Sequence, residues 1–134
     1  MRSQFEKKVA TYLHSKGVVY EYEAYEFDYE EPLRKNRSRC GDCNSTNLVR
    51  LGIYTPDFYL PEGKLFIETK GRWTAADRRK MLAVIKLHPE ERFVMQFMRD
   101  NRIHKRSTTH YSDWCMENGI EYCIGVESLK EWYT

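Results

Sequence analysis

Hydrophobic spacing divides the chain into alternating helical and extended segments. In SQFEKKVATYLHSKG, residues 3–17, the apolar positions Phe5, Val9, Tyr12 and Leu13 recur at helical intervals, with Ser3 placed to cap the start and Gly17 to stop the end. VVYEYEAYEFDY, residues 18–29, then alternates residue by residue: Val19, Glu21, Glu23, Tyr25 and Phe27 against Val18, Tyr20, Tyr22, Ala24 and Glu26. That pattern predicts one long strand, closed by Pro32. PLRKNRSRCGDCNSTNLVRLG follows without a clear period and reads as an irregular basic insertion at about residues 33–52. A strand–turn–strand comes next, TPDFYLPEGKLFIETKG at residues 55–71. TAADRRKMLAVIKLHP predicts a helix with Thr74 as its cap, Asp77 in its first turn and Pro89 beyond its end. RFVMQFM is a buried strand, RDNRIHKRST a basic loop, HYSDWCMENG a short helix stopped at Gly119, IEYCIG a last strand, and ESLKEWY a terminal helical turn or two. Helices interleaved with strands in this way predict a single α/β domain over residues 1–134, with a mixed sheet flanked by helices.

At 134 residues the chain is long enough to bury a core without cross-links. Its 41% apolar and 31% charged residues are those of a soluble globular protein. No apolar run reaches membrane-spanning length and MRSQFEKKVA lacks a signal-peptide core, so the expected location is the cytoplasm, with no membrane partner. A net charge of +2 does not by itself announce nucleic-acid binding; only its local distribution can. Four cysteines in an intracellular chain favour reduced thiols or a metal over disulfides.

The hairpin carries the chemistry. If Pro61–Lys64 form a four-residue loop, Leu60 faces Leu65, Tyr59 faces Phe66 and Asp57 faces Glu68. Opposed residues on neighbouring strands have Cβ atoms about 5 Å apart. Lys70, two beyond Glu68, lies on the same face. Facing carboxylates repel one another unless a cation sits between them, and magnesium, which takes hard oxygen ligands and keeps waters, suits such a pair. A lysine beside it can orient a water or stabilise charge on a transferring phosphate. The ordinary alternative is a surface ion pair between Asp57 and Lys70 with Glu68 solvated. The ten residues between PD and ETK, framed by hydrophobic strands, match the PD-(D/E)xK nuclease pattern and favour the site.

YTPDFYLPEGKLFIETKGRW, with RSQFEKKVATYLHSKGVVYEYE before it and DRRK, LHPE, RIHKRSTTHYSDWCMENGIEYC and EW after it, resembles endonuclease I of T-seven-like bacteriophages, the Holliday-junction resolvases. Residues of about 33–52 lack a counterpart. The resemblance implies a restriction-endonuclease-like core and a homodimer that cuts branched DNA in two strands. It also implies magnesium or manganese dependence, with room for two ions, 5′-phosphate products, and recognition of shape over sequence. By matching positions, Asp57 and Glu68 would be metal ligands, Lys70 the catalytic lysine, and Glu6 a further active-site carboxylate and metal ligand. Because subunits of the family exchange segments, Glu6 would serve the cluster of the other chain. The residues alone offer Glu6 another role: Ser3–Glu6 fits S-x-x-E, a capping box in which the glutamate bonds the Ser3 backbone. Other readings of the whole chain are a nuclease of the same fold acting on linear duplex, such as a transposase or restriction subunit, and a non-catalytic DNA-binding module.

Branched duplex is held through its phosphates, mostly by lysine and arginine. The candidates are Arg72, Arg78, Arg79 and Lys80 near the helix starting at Thr74, and Arg99, Arg102, His104, Lys105 and Arg106 in the basic loop. The ordinary reading of each is a solvated charge; Arg72 is favoured by its place beside the site, Lys105 by the resemblance. Cys40 and Cys43 of CGDC form one half of a zinc site, which needs four ligands. Cys115 and Cys123 could complete it within one chain, two CGDC knuckles could meet across a dimer axis, or the cysteines are plain thiols.

Overall fold

The structure, a computed structural model, describes residues 3–32 and 48–133. Helix α1 spans Gln4–Ser15 and starts where the Ser3 side chain accepts the Glu6 N–H; Gly17, at φ 68°, turns the chain out of it. Strands β1 (Glu21–Tyr22), β4 (Phe58–Leu60), β5 (Leu65–Lys70), β6 (Arg92–Phe97) and β7 (Glu121–Ile124) build a five-stranded sheet in the order β1-β4-β5-β6-β7. The pairings are antiparallel from β1 to β5 and parallel from β5 to β7, with α2 (Ala75–Leu87) and α3 (Tyr111–Asn118) as the parallel crossovers. A 3₁₀ turn at Glu127–Leu129 and α4 (Lys130–Tyr133) close the described chain.

The alternation of β5 gives the sheet two cores. Leu65 and Ile67 face Phe5, Val9 and Leu13 of α1, with Phe58, Leu60, Val94 and Leu129 around them. Phe66 faces the other way, into Trp73, Met81, Val84, Phe93, Met95 and Phe97. Val9 and Leu13 are completely buried, and burial of this kind stabilises by roughly 1.5–3 kcal/mol per side chain, which is what fixes α1 to its face. Cys115 belongs to the α2–α3 core and Cys123 to the α1 core, so the two thiols lie on opposite faces of the sheet and cannot complete one zinc site together. Cys40 and Cys43 lie outside the described residues.

The sequence pattern fails in two places. The predicted long strand over residues 18–29 is broken: β1 ends at Tyr22, Glu23 adopts φ 48°, and a separate strand β2 begins at Phe27 and runs to Pro32. Tyr20 and Tyr22 pack on the α1 core, whereas Phe27 and Tyr29 pack on the α2–α3 core, so the buried phase changes across the break. The second departure is at residues 49–52, read as irregular. They belong to β3 (Val49–Tyr54), which pairs antiparallel with β2 in a two-stranded ribbon, Phe27 opposite Tyr54 and Pro32 opposite Val49. Residues 33–47 of the expected insertion lie outside the described residues.

Candidate active site

The β4–β5 ladder has the register that the turn PEGK dictates, Leu60 opposite Leu65, Tyr59 opposite Phe66 and Phe58 opposite Ile67. Asp57 sits one step beyond the last of these pairs, where the strands begin to part. Its carboxylate is held against β5: Oδ2 accepts from the Thr69 N–H at 2.9 Å and from the Thr69 hydroxyl at 2.8 Å. Burial pushes the Asp57 pKa up; the Thr69 donors oppose that, the Glu6 charge adds to it and Lys70 offsets part of it. Glu68 is 8% exposed, and its Oε1 accepts the Tyr54 hydroxyl at 2.8 Å while Oε2 lies 3.5 Å from Lys70 Nζ. Burial, reinforced by the Asp57 charge, pushes Glu68 up to about 7 against the pull of Lys70, Tyr54 and Lys80. Lys70 Nζ also reaches Asp77 of α2 at 3.8 Å, so the ammonium is fixed between two acids.

Glu6 arrives from the opposite layer. It lies in the first turn of α1 and is 7% exposed. The helix cap is made by Ser3, whose Oγ accepts the Glu6 N–H at 3.1 Å; the Glu6 carboxylate itself accepts the Tyr22 hydroxyl through Oε2 at 2.7 Å. Burial first, and the adjoining Glu6 carboxylate next, hold the Tyr22 hydroxyl well above its ordinary pKa, so it stays a donor. One carboxylate oxygen each from Glu6, Glu23 and Asp57 come within 4.8 Å of one another. The structure thus brings Glu6 to Asp57 within a single chain.

Glu6, Asp57, Glu68, Lys70 and Lys80 line one cavity of about 320 Å³. Buried carboxylates crowded to this degree are costly when ionised, and their chemistry suits a hard divalent cation with oxygen ligands. The oxygen-only donor set therefore fits a divalent metal ion, with Glu6, Glu23 and Asp57 the acids that come closest together. Among the described residues, a larger apolar groove between β2, β3 and α2 gathers no comparable chemistry. Its buried Glu31 is neutralised by Arg50 at 2.8 Å and by Arg79 at 3.2 Å.

The basic candidates divide. Arg72, Arg102, His104 and Lys105 line a cleft of about 730 Å³ beside the first turn of α2, and Arg72 follows Lys70 by two residues. Arg106 is exposed in the same loop. Arg79 does not line the cleft; it ties α2 to β2 through Glu31. Arg78 also lines the cleft, but it is mostly buried and donates to the Trp73 carbonyl at 3.0 Å.

With this geometry in view, similarity to known proteins is decisive. The family model described as Phage endonuclease I matches residues 1–133. The chain belongs to the phage endonuclease I family. It is 36% identical to Endodeoxyribonuclease 1 of Enterobacteria phage T3, over 97% of this chain and 77% of that protein. To Endonuclease I of Escherichia phage T7 it is 35% identical, over 97% of this chain and 78% of that protein.

In this endonuclease I family member, three residues of the site escaped sequence reasoning: Tyr22, Glu23 and Tyr54. Tyr22 and Glu23 were hidden inside the regular alternation assigned to one long strand. Tyr54 stands directly before TPD but has no motif of its own. Lys80, a phosphate-contact candidate in the sequence, lines the carboxylate cavity itself; it follows Asp77 by three residues on α2 and shares a helix face with the acid that touches Lys70.

Proposed function

We propose that this protein is a divalent-metal-dependent endodeoxyribonuclease that resolves branched DNA, four-way junctions in particular, as a homodimer in the cytoplasm of a phage-infected host. The observation that carries this reading is the convergence of Glu6, Asp57 and Glu68 with Lys70 in one cavity, in a chain of the phage endonuclease I family. Asp57 and Glu68, with Glu6, would hold the magnesium or manganese. The ion, when bound, supplies Lewis-acid activation of water and neutralises charge at the phosphate.

The chain's own contribution is positioning and electrostatics. Thr69 holds one Asp57 oxygen by two hydrogen bonds, and Tyr54 holds one Glu68 oxygen by a single one. Lys70, restrained by Glu68 and Asp77, presents a fixed positive charge where a scissile phosphate would approach. Attack of water oxygen on phosphorus breaks the bond to the 3′ oxygen and leaves a 5′-phosphate and a 3′-hydroxyl. The cleft lined by Arg72, Arg102 and Lys105 offers phosphate contacts next to the cavity, and such contacts read backbone shape. The test compares a synthetic four-way junction with linear duplex of the same sequence, in magnesium and in EDTA. Magnesium-dependent cutting that prefers the junction by at least tenfold is expected. Equal cutting of both would replace junction resolution by a general duplex nuclease.

A further inference from the structure

The carboxylates of the proposed site share a pattern. Each has one oxygen engaged by a neutral donor. The Tyr22 hydroxyl donates to Glu6 Oε2 at 2.7 Å, the Tyr54 hydroxyl to Glu68 Oε1 at 2.8 Å, and Thr69 donates twice to Asp57 Oδ2. Among the described residues, the second oxygens of the glutamates make only long contacts, Glu6 Oε1 with the Ser3 hydroxyl at 3.5 Å and Glu68 Oε2 with Lys70 at 3.5 Å. Thr69 belongs to the ETK motif; the tyrosines do not. They come from separate elements: Tyr54, from the end of β3, lines the cavity itself, and Tyr22, from β1, stands behind the cavity-lining Glu6.

Both phenol rings are packed, which makes them rigid donors. Tyr54 is 2% exposed and its ring lies 6.2 Å from that of Phe93; the Tyr22 ring lies 5.5 Å from that of Phe58. A neutral donor fixes a carboxylate's rotation without cancelling its charge, whereas an arginine or lysine in the same place would compete with a cation for it. Groups behind a ligand that orient it in this way commonly contribute about 10–100-fold in metal affinity or activity. We infer that Tyr22 and Tyr54 are positioning residues, each locking one glutamate so that its other oxygen faces the metal ion. The inference rests on the metal-dependent reading of the site given above.

The test is titration calorimetry of manganese(II) chloride into metal-free full-length protein, wild type against Tyr22→Phe and Tyr54→Phe. Phenylalanine keeps the ring and removes only the donor. Tyr25→Phe is the control, because the Tyr25 hydroxyl donates to Glu21 at 3.4 Å, away from the cavity. Manganese affinity is expected to fall about tenfold in each site variant, with circular dichroism unchanged and the control at the wild-type value. A fall of threefold or more in both supports the inference; a folded site variant within threefold of wild type overturns it. If Tyr54→Phe does not fold, Tyr22→Phe decides alone by the same threshold. Failure of the wild type to bind manganese would overturn the metal reading and this inference together, an outcome distinct from normal binding by the variants.

Discussion

Glu68 accepts a hydroxyl from Tyr54 and lies beside the Lys70 ammonium, and still its pKa rises to about 7 because burial and the Asp57 charge outweigh both. The consequence for stability follows from linkage. Below the ordinary carboxylate pKa the side chain is protonated in folded and unfolded chains alike, and no penalty arises. Between about pH 4.5 and 7 the unfolded chain releases the proton while the folded chain retains it, so stability falls with rising pH and the loss is complete above 7. A shift of this size corresponds to a penalty on the order of 3 kcal/mol. Glu68→Gln removes the charge and keeps an oxygen to accept from Tyr54. In metal-free buffer at pH 8 it is expected to unfold about 5 °C or more above wild type, and near pH 4 at about the wild-type temperature. Equal midpoints at pH 8 would show that Glu68 is not held as a costly buried charge.

At the scale of elements, much of this arrangement is legible in the sequence. The hairpin register follows from a four-residue turn and strict alternation, and it is the register observed. The three helices α1, α2 and α3 start at Ser3, Thr74 and His110, and the first two caps are readable from residue type alone. β3 was not readable because its pattern is inverted with respect to water. Leu51 and Ile53 are 73% and 63% exposed, so the apolar alternation that normally marks a buried face marks the open face of the ribbon. The break at Glu23 was hidden for a different reason. Alternation carries no information about which sheet a strand joins, and here the chain changes sheets without losing its alternating pattern. Glu6 is the intermediate case: its spacing from Ser3 fits a capping box, and only the resemblance brought it to the site. The fold shows Ser3 capping the helix through its own side chain while the Glu6 carboxylate turns to Tyr22 and Asp57.

For the molecule as a whole, the cavity draws on both layers of the fold: α1 supplies Glu6, backed by Tyr22 of β1, and the end of β3, the segment leading into β4, strand β5 and helix α2 supply the rest. Subunit mixing distinguishes a site built within one chain from one shared between two. If each chain supplies its own Glu6, as in the structure, then heterodimers of Glu6→Gln and Glu68→Gln chains contain no intact site and should not cut. If neighbouring chains trade residues 3–32, the same mixture regains one intact site and nicks a single strand. The central claim is narrower, that Asp57, Glu68 and Lys70 converge to do chemistry rather than to stabilise the hairpin. Its most direct measurement is magnesium-dependent cleavage of a four-way junction by wild type, Glu68→Ala and Lys70→Ala, alongside junction binding in calcium by the same proteins. Cleavage lower by at least a thousandfold in both variants, with binding within about threefold of wild type, is the expected result. Cutting at near wild-type rates by either folded variant would contradict the account.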